Sequence, residues 1–433
     1  MERTLIGWLA PIFSALIFIT YLTINGDIYY IRMHSAAVEN GYDQVTDTAL
    51  NISASKEAQF SQPTTTMTPV SVTVISVIPV SMTPVSPHFN AFADRLVNLH
   101  DDVKQLREQL RTIMSSRLAA ARQYRIQQQK KFQDAYQDFN SSRQSGRFLT
   151  YRPPQGGLGN FMFEFATLVG CAAKNNRIPV LFTYEPKMGY FEGMNLSFIA
   201  QTALFPFNTI DAKTVGENGA GMFTPKFHQL NTYFPNDSVA ITGYGQSWKY
   251  FDHASNEIRA MYTFRESIQE EAIAAILQGI SPLYALGLFS ASNSPVRAGI
   301  HIRRGDIVQD ENQKRHGHVA ASEEYLLRSA LHIQTKYKNV VFFVLSNDIG
   351  YCRKLFREKN FVFISQKPAE VDMAVMTFMD VMIMSVGSYG WWGSYLSQAK
   401  EVFYFKNWPK PGSNFQKMVV SEDYFLPHWK GED

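Results

Sequence analysis

The pattern of apolar and polar positions changes character three times along the chain. From Leu5 to Ile24 the residues are almost continuously apolar, and a run of about twenty is long enough for a helix to cross a bilayer. A cleaved signal peptide is the rival reading, but its apolar core is usually only about 7–15 residues long. Arg3 precedes the run and Asp27 follows it, which by the positive-inside rule puts the N-terminus in the cytosol and the bulk of the chain outside it. From Asn51 to Pro87 the chain is rich in Ser, Thr, Pro and Val and has no helical period. Such composition predicts an extended, O-glycosylated stalk. Phe92 to about Phe139 then reads as one long helix. Phe92, Leu96, Leu99, Val103, Leu106, Leu110 and Ile113 alternate spacings of four and three before Arg117 interrupts them. That seam fits a short coiled coil pairing two stems, against the alternative of a surface helix packed on the globular part.

After Gly146 apolar strand-like runs alternate with helical ones. Strands are expected at Arg147–Tyr151, Ile178–Tyr184, Val239–Tyr244, Val296–Ile302, Val340–Leu345, Phe361–Ile364, Val381–Ser385 and Glu401–Phe405, and helices at Phe161–Lys174 and Glu266–Gln278. This order predicts an α/β fold of two Rossmann-like domains with parallel sheets, facing a cleft.

Composition narrows the function classes. A net charge of +3 is too small to argue for nucleic acid. Cys171 and Cys352 are the only cysteines, so neither a disulfide scaffold nor a cysteine-rich zinc site exists; one bridge or two unrelated thiols both remain open. Asn-x-Ser/Thr acceptors stand at Asn51, Asn140, Asn195 and Asn236, as a lumenal protein would allow.

The chemistry gathers where predicted strands end. His301-Ile302-Arg303-Arg304-Gly305-Asp306 closes an apolar strand, and ligands of open α/β sheets bind off the carboxyl ends of strands. Arginine keeps its charge and offers a rigid donor fork that matches phosphate oxygens; a structural salt bridge with Asp306 is the plainer reading. Gln155-Gly156-Gly157-Leu158-Gly159-Asn160 joins a strand to a helix. Its glycines allow close backbone approach, and the helix N-terminus favours an anion. It matches neither a dinucleotide fingerprint nor a Walker A loop, and a tight turn alone would also explain it. Ser385-Val386-Gly387-Ser388-Tyr389-Gly390-Trp391-Trp392 repeats the arrangement, with Ser385 and Ser388 as candidate phosphate donors; helix–strand packing, with the tryptophans as core, is the alternative. Ser346-Asn347-Asp348 ends another strand and would cap the next helix or line the crevice. Asp372 opens an apolar helix, either as N-cap or as a crevice carboxylate. The lumenal part has no D-x-D, H-E-x-x-H, G-x-S-x-G or paired C-x-x-C, so a departing diphosphate would be stabilised by arginines and helix N-termini.

Taken together, these blocks resemble a known family. His301-Ile302-Arg303-Arg304-Gly305-Asp306 looks like the H-x-R-R-x-D motif of α1,2- and α1,6-fucosyltransferases. The two glycine turns, Ser346-Asn347-Asp348, Lys406-Asn407-Trp408-Pro409 and Pro427-His428-Trp429 are similar to the blocks of the α1,2 branch, glycosyltransferase family 11. The likeness covers roughly Arg147 to Asp433. It implies a GT-B fold, no metal, and inverting transfer of L-fucose from GDP-β-L-fucose to the 2-hydroxyl of galactose on a glycan. Fucosyl transfer of another linkage or acceptor, and a catalytically silent membrane-anchored glycan-binding protein, are the alternatives. By the same resemblance the catalytic residues are Arg304, Arg303, Asp306 and His301, with Arg304 the foremost phosphate contact and Asp306 the candidate base. Donor-binding residues are Gly157, Gly159, Asn160, Ser346, Asp348, Asp372, Ser385, Gly387, Ser388 and Tyr389. Ile307, Gly157 and Phe161 depart from residues frequent in the family, at positions that bear on the acceptor.

The expected organisation is a cytosolic tail (1–4), a transmembrane signal-anchor (5–24), a Ser/Thr/Pro-rich stem (25–91), a helical stem that pairs two copies (92–146), and a catalytic region (147–433). Residues 147–294 would be its N-terminal half and 295–433 its donor-binding half. The implied setting is the Golgi membrane, single-pass type II, with the catalytic part lumenal.

Overall fold

The computed structural model describes residues 19–24, 27–32, 87–142, 148–151, 156–180, 185–194, 212–365 and 367–433. The chain divides into two units, residues 1–94 and 95–433.

In the first unit, β1 (Ile19–Ile24) pairs antiparallel with β2 (Asp27–Arg32), Ile24 opposite Asp27. This corrects the end of the expected membrane helix. Both segments are rich in β-branched and aromatic residues, and Asn25-Gly26 between them is a strong two-residue hairpin signal. Leu5 to Phe18 and the stalk from Asn51 to Ser86 lie outside the described residues. No helix among the described residues is long and apolar enough to cross a membrane.

The long helix α1 runs from Pro87 to Ser142, and its stripe faces its own chain. Leu99, Val103, Leu106, Leu110, Met114, Leu118, Ala121 and Tyr124 are buried within the second unit. This corrects the expected pairing of two stems. Leu106, Leu110, Met114 and Leu118 follow one another at spacings of four, so the stripe drifts with the 3.6-residue turn of a straight helix instead of holding a heptad seam. Arg111 fixes α1 to Glu270 at 2.9 Å, and the Asp102 carboxylate accepts the Ala291 N–H at 2.7 Å.

The rest of the second unit holds two wholly parallel sheets, the α/β, GT-B-like architecture expected. The first has the order β4 (Ile178–Val180), β3 (Phe148–Tyr151), β6 (Val239–Thr242), β5 (Lys213–Gly216). The second has the order β12 (Lys430–Glu432), β11 (Glu401–Phe405), β10 (Val381–Met384), β7 (Val296–Ile302), β8 (Val340–Ser346), β9 (Phe361–Ile364). Parallel strands are buried on both faces and so read as unbroken apolar runs, as in Val340–Leu345, which is buried throughout. In each sheet the strand order reverses beside a central strand, between β3 and β6 and between β7 and β10.

Helix α2 (Leu158–Lys174) follows β3, and α3 (Ser255–Met261) leads into α4 (Glu266–Ala285), which packs on β9 and on α7 (Ala369–Thr377). The helices α5 (Glu323–Lys336), α6 (Ile349–Leu355) and α8 (Ser388–Ser397) complete the second sheet's set. The start of α8 lies three residues before the expected Trp391. Trp391 and Trp392 are fully buried, with the ring of Phe163 from α2 at 4.5 and 5.1 Å. The aromatic pair therefore joins the two halves. Cys171 and Cys352 are both buried and free, which settles the open choice in favour of two separate thiols.

Candidate active site

The crevice between β7 and β10 receives the arginine motif from one strand and the serine–glycine turn from the other. β7 continues past its last paired residue into Arg303, whose N–H donates to Ser385 Oγ at 2.9 Å, while the Ser385 N–H donates to the His301 carbonyl at 2.9 Å. Ser385, only 1% exposed, thus fixes the end of the central strand from within. The next N–H groups, of Arg304 and Gly305, both donate to Asn347 Oδ1, at 2.9 and 3.2 Å. A Cβ on Gly305 would stand 2.7 Å from the Asn347 amide, so glycine is needed there for the close approach.

The two guanidinium groups are held differently. Arg303 meets Asp306 through Nε and Nη2, the Nε contact at 3.2 Å, and this pairing holds the Asp306 carboxyl below the usual carboxylate range. Arg304 touches Asp348 only through Nε, at 3.4 Å, and its guanidinium lies 3.7 Å over the Tyr351 ring. No hydrogen bond to a described residue occupies its two Nη groups, so its fork is open. The salt-bridge reading is thereby realised by Arg303, while Arg304 keeps donors for a ligand. Asp348 also caps α6, its Oδ1 accepting the Tyr351 N–H at 3.1 Å, and Ser346 Oγ accepts the Asp348 N–H at 2.9 Å. One carboxylate therefore both caps α6 and holds Arg304.

His301 is buried, and desolvation, reinforced by the charge of Arg303, pulls its imidazole down to about 3. It is neutral at physiological pH, with Nδ1 unpartnered among the described residues. The Tyr389 ring lies 5.2 Å away and its hydroxyl donates to the Ala369 carbonyl at the start of α7. Asp372 sits in the first turn of α7, whose N-cap is Pro368, so it is not the cap. Its Oδ1 is buried without a hydrogen-bond partner among the described residues, and burial pushes the carboxyl up to about 7. His318, packed against the Phe415 ring at 4.5 Å, is pulled down to about 4 by burial and by Arg303.

The glycine turns meet each other. α2 and α8 have Gly157 and Gly387 at their N-cap positions, and neither has a side-chain cap, which leaves N-terminal N–H groups for an anion. Gly387 has φ +86°, and a Cβ there would lie 2.9 Å from Arg303 Nη1; on Gly159 it would lie 2.6 Å from the Ser388 backbone. Ser388 Oγ donates to Asn160 Oδ1 at 2.7 Å, and Gln246 Nε2 donates to the same oxygen at 3.0 Å. Ser388 and Asn160 therefore join the two sheets across the cleft, while the exposed Gly157 leaves space around it. Gln246 and Tyr351 stand among the candidate residues without having been singled out from the sequence, and Asn347, named there only within its strand-end block, is the one that holds the Arg304 and Gly305 N–H groups. Gly243-Tyr244-Gly245, at the end of the expected strand Val239–Tyr244, was the available signal for Gln246; the observed strand stops at Thr242. Both glycines have positive φ, and Glu217 accepts the N–H groups of Tyr244 and Gly245 at 2.6 and 2.8 Å. Among the described residues no cluster of His, Cys, Asp or Glu has the make-up of a metal site.

Comparison with known proteins places this geometry. The family model described as Glycosyl transferase family 11 matches residues 123–433. Galactoside alpha-(1,2)-fucosyltransferase 2 of Mus musculus is 30% identical over 292 residues, which cover 64% of this chain and 76% of the mouse protein. The Sus scrofa protein of the same name is 29% identical over 289 residues, 64% of this chain and 77% of its own length. A crystal structure of NodZ alpha-1,6-fucosyltransferase co-crystallized with GDP aligns over 61% of this chain and 96% of its own, at 13% identity and a TM-score of 0.37. The chain belongs to glycosyl transferase family 11 and is an enzyme of the fucosyltransferase type.

Proposed function

We propose that this enzyme transfers L-fucose from GDP-β-L-fucose to the 2-hydroxyl of a galactose residue on a glycan, with inversion and without a metal. The observation that carries this reading is the open fork of Arg304 at the β7–β10 switch, beside the uncapped start of α8. The acceptor oxygen forms a bond to the anomeric carbon and releases its hydroxyl proton to solvent, while the bond from that carbon to the β-phosphate oxygen breaks and GDP leaves with the electron pair. Negative charge grows on the diphosphate, so Arg304 binds the transition state more tightly than the ground state. Arg303 stands beside it, aimed by Asp306. A carboxylate committed to two arginine hydrogen bonds is a weak base, which supports an orienting role for Asp306 over the proton-accepting one. The neutral His301, Tyr389 and the unpartnered Asp372 oxygen form the wall on which the donor's nucleotide would rest.

Golgi placement and membrane attachment belong to the same proposal. They are supported by the apolar residues before the β1–β2 hairpin and by the exposed acceptor Asn236. Alkaline extraction and glycosidase digestion of the expressed full chain test that part.

The transfer itself is tested by incubating the protein with GDP-fucose and a panel of galactosides in EDTA, followed by linkage analysis. An α1,2-fucoside formed at an undiminished rate is expected. Another linkage would assign a different acceptor chemistry, and glycan binding without turnover would assign the silent binding protein.

A further inference from the structure

Halfway along α1 one arginine departs from its neighbours. Arg111 reaches Glu270 at 2.9 Å, Arg122 reaches Glu266 at 3.3 Å and Arg125 reaches Glu192 at 3.1 Å. Among the described residues Arg117 meets no carboxylate. It donates to the Thr377 hydroxyl at 3.1 Å and the Thr377 carbonyl at 2.8 Å, at the C-terminal end of α7, and lies 5.4 Å over the Phe378 ring. Arg259 of α3 likewise donates to the Tyr395 carbonyl near the end of α8 and lies 3.9 Å over that ring, again with no carboxylate in ion-pair reach among the described residues. A third cation close by, Arg297, is already matched by Asp380 at 2.9 Å. Burial and the charges of Arg297 and Arg259 together pull Arg117 down to about 10.

Arg117 and Arg259 line one cavity of about 320 Å³, with Asn256, Thr263, Thr377 and Gln398 adding polar groups to its wall. Capping the carbonyls of α7 and α8 accounts for only part of this arrangement. A helix C-terminus carries roughly half a negative charge, too little to neutralise two full cations, and each guanidinium has five N–H donors. Three of the ten are used by the bonds described. The cavity is also of a size that holds small molecules, and it is separate from the cleft. Helix α8 starts at Ser388 beside Asn160 and runs about 15 Å before its far end reaches this cavity.

We propose that this cavity is a second ligand site, in which Arg117 and Arg259 together grip a phosphate or sulfate group. The donor forks of two arginines suit a tetrahedral oxyanion, and the anion removes the repulsion between them. The polar rim gives room for a small molecule carrying that group.

The test is thermal unfolding of the full chain in inorganic sulfate and, separately, inorganic phosphate, each against sodium chloride of equal ionic strength. Arg303 and Arg304 offer another oxyanion site, so the measurement is repeated in Arg304→Ala. A rise of roughly 2–4 °C is expected, kept in Arg304→Ala and lost in Arg259→Gln and Arg117→Gln. A larger rise in one anion identifies the preferred group. No rise in either anion, or an equal rise in the Arg117 and Arg259 variants, overturns the site. Arg117 also anchors α1, so Asn256→Asp gives an independent reading without removing a contact to α7. A carboxylate at the rim is expected to raise the melting temperature in chloride alone and to abolish the anion response. A variant that melts lower and still responds to sulfate contradicts the proposal.

Discussion

Arg303 uses Nε and Nη2 on Asp306, whereas Arg304 uses Nε alone on Asp348 and rests its plane on Tyr351. Adjacent residues of identical type therefore have different work, and Arg304→Ala is expected to lower kcat/KM for fucosyl transfer by about 10²–10³. Steady-state kinetics at unchanged folded fraction decide it, and a variant as fast as its parent sinks the phosphate role. His301 carries a pH prediction. Its imidazole is held at about 3 in the folded protein against an unfolded value near 6.5, so between those limits the unfolded chain binds the extra proton. Stability from this residue is fully present above about pH 6.5 and falls by about 1.4 kcal/mol per pH unit below it. Asp372 works in the opposite sense, because a carboxyl raised to about 7 keeps its proton in the folded state and loses stability as pH rises toward that value. The comparison that isolates His301 is the difference in unfolding free energy between the parent and His301→Gln from about pH 4 to 7. The parent should lose ground as the pH drops; a constant difference would mean that the folded imidazole charges freely.

Among the elements, α1 has the clearest consequence. Its stripe was legible from the sequence, and its destination was not. Apolar residues at spacings of three and four state that a face is covered, without stating by what. Here the cover is the chain's own second unit, with Leu110 at 0% exposure. Leu110→Ala is expected to cost about 2–5 kcal/mol of stability, read as a lower urea midpoint, with the sedimentation coefficient of the native protein unchanged. Loss of a dimer at unaltered melting would instead assign the stripe to a second copy. The β1–β2 hairpin has the converse lesson. Asn25-Gly26 between β-branched runs announced it locally, but a long apolar run drew the reading toward a helix.

Across the molecule, the two glycine turns form one junction. Gly159 lies against the Ser388 backbone so closely that a Cβ would stand 2.6 Å from it, while Gly157 has nothing within 4 Å of the same position. Gly159→Ala should therefore part α2 from α8, disturb the Ser388–Asn160–Gln246 bonds and depress transfer, whereas Gly157→Ala should remain near the parent. Equal activities in kinetic assays of the two variants would show that the close approach has no part in assembling the cleft. The aromatic contact of Phe163 with Trp391 and Trp392 lies behind this junction and gives it a rigid backing.

Strands such as Val340–Leu345 were determined by the sequence alone, because a parallel strand buried on both faces must be apolar throughout. So were the arginine motif, the glycine turns and the alternation that makes an α/β fold. Each depends on chemistry within a few neighbouring residues. Tertiary structure decided what required residues far apart in the chain: that α1 packs on its own unit, that Ser385 holds the Arg303 N–H and Ser388 the Asn160 side chain, and that Asn347 and Gln246 bond to candidate residues. It also separated Arg303 from Arg304, since the number of donors left on each guanidinium depends on which carboxylate the fold brings within reach. The paired arginines were visible in the sequence from the start, and only packing showed that one is held by Asp306 while the other stays open to a ligand.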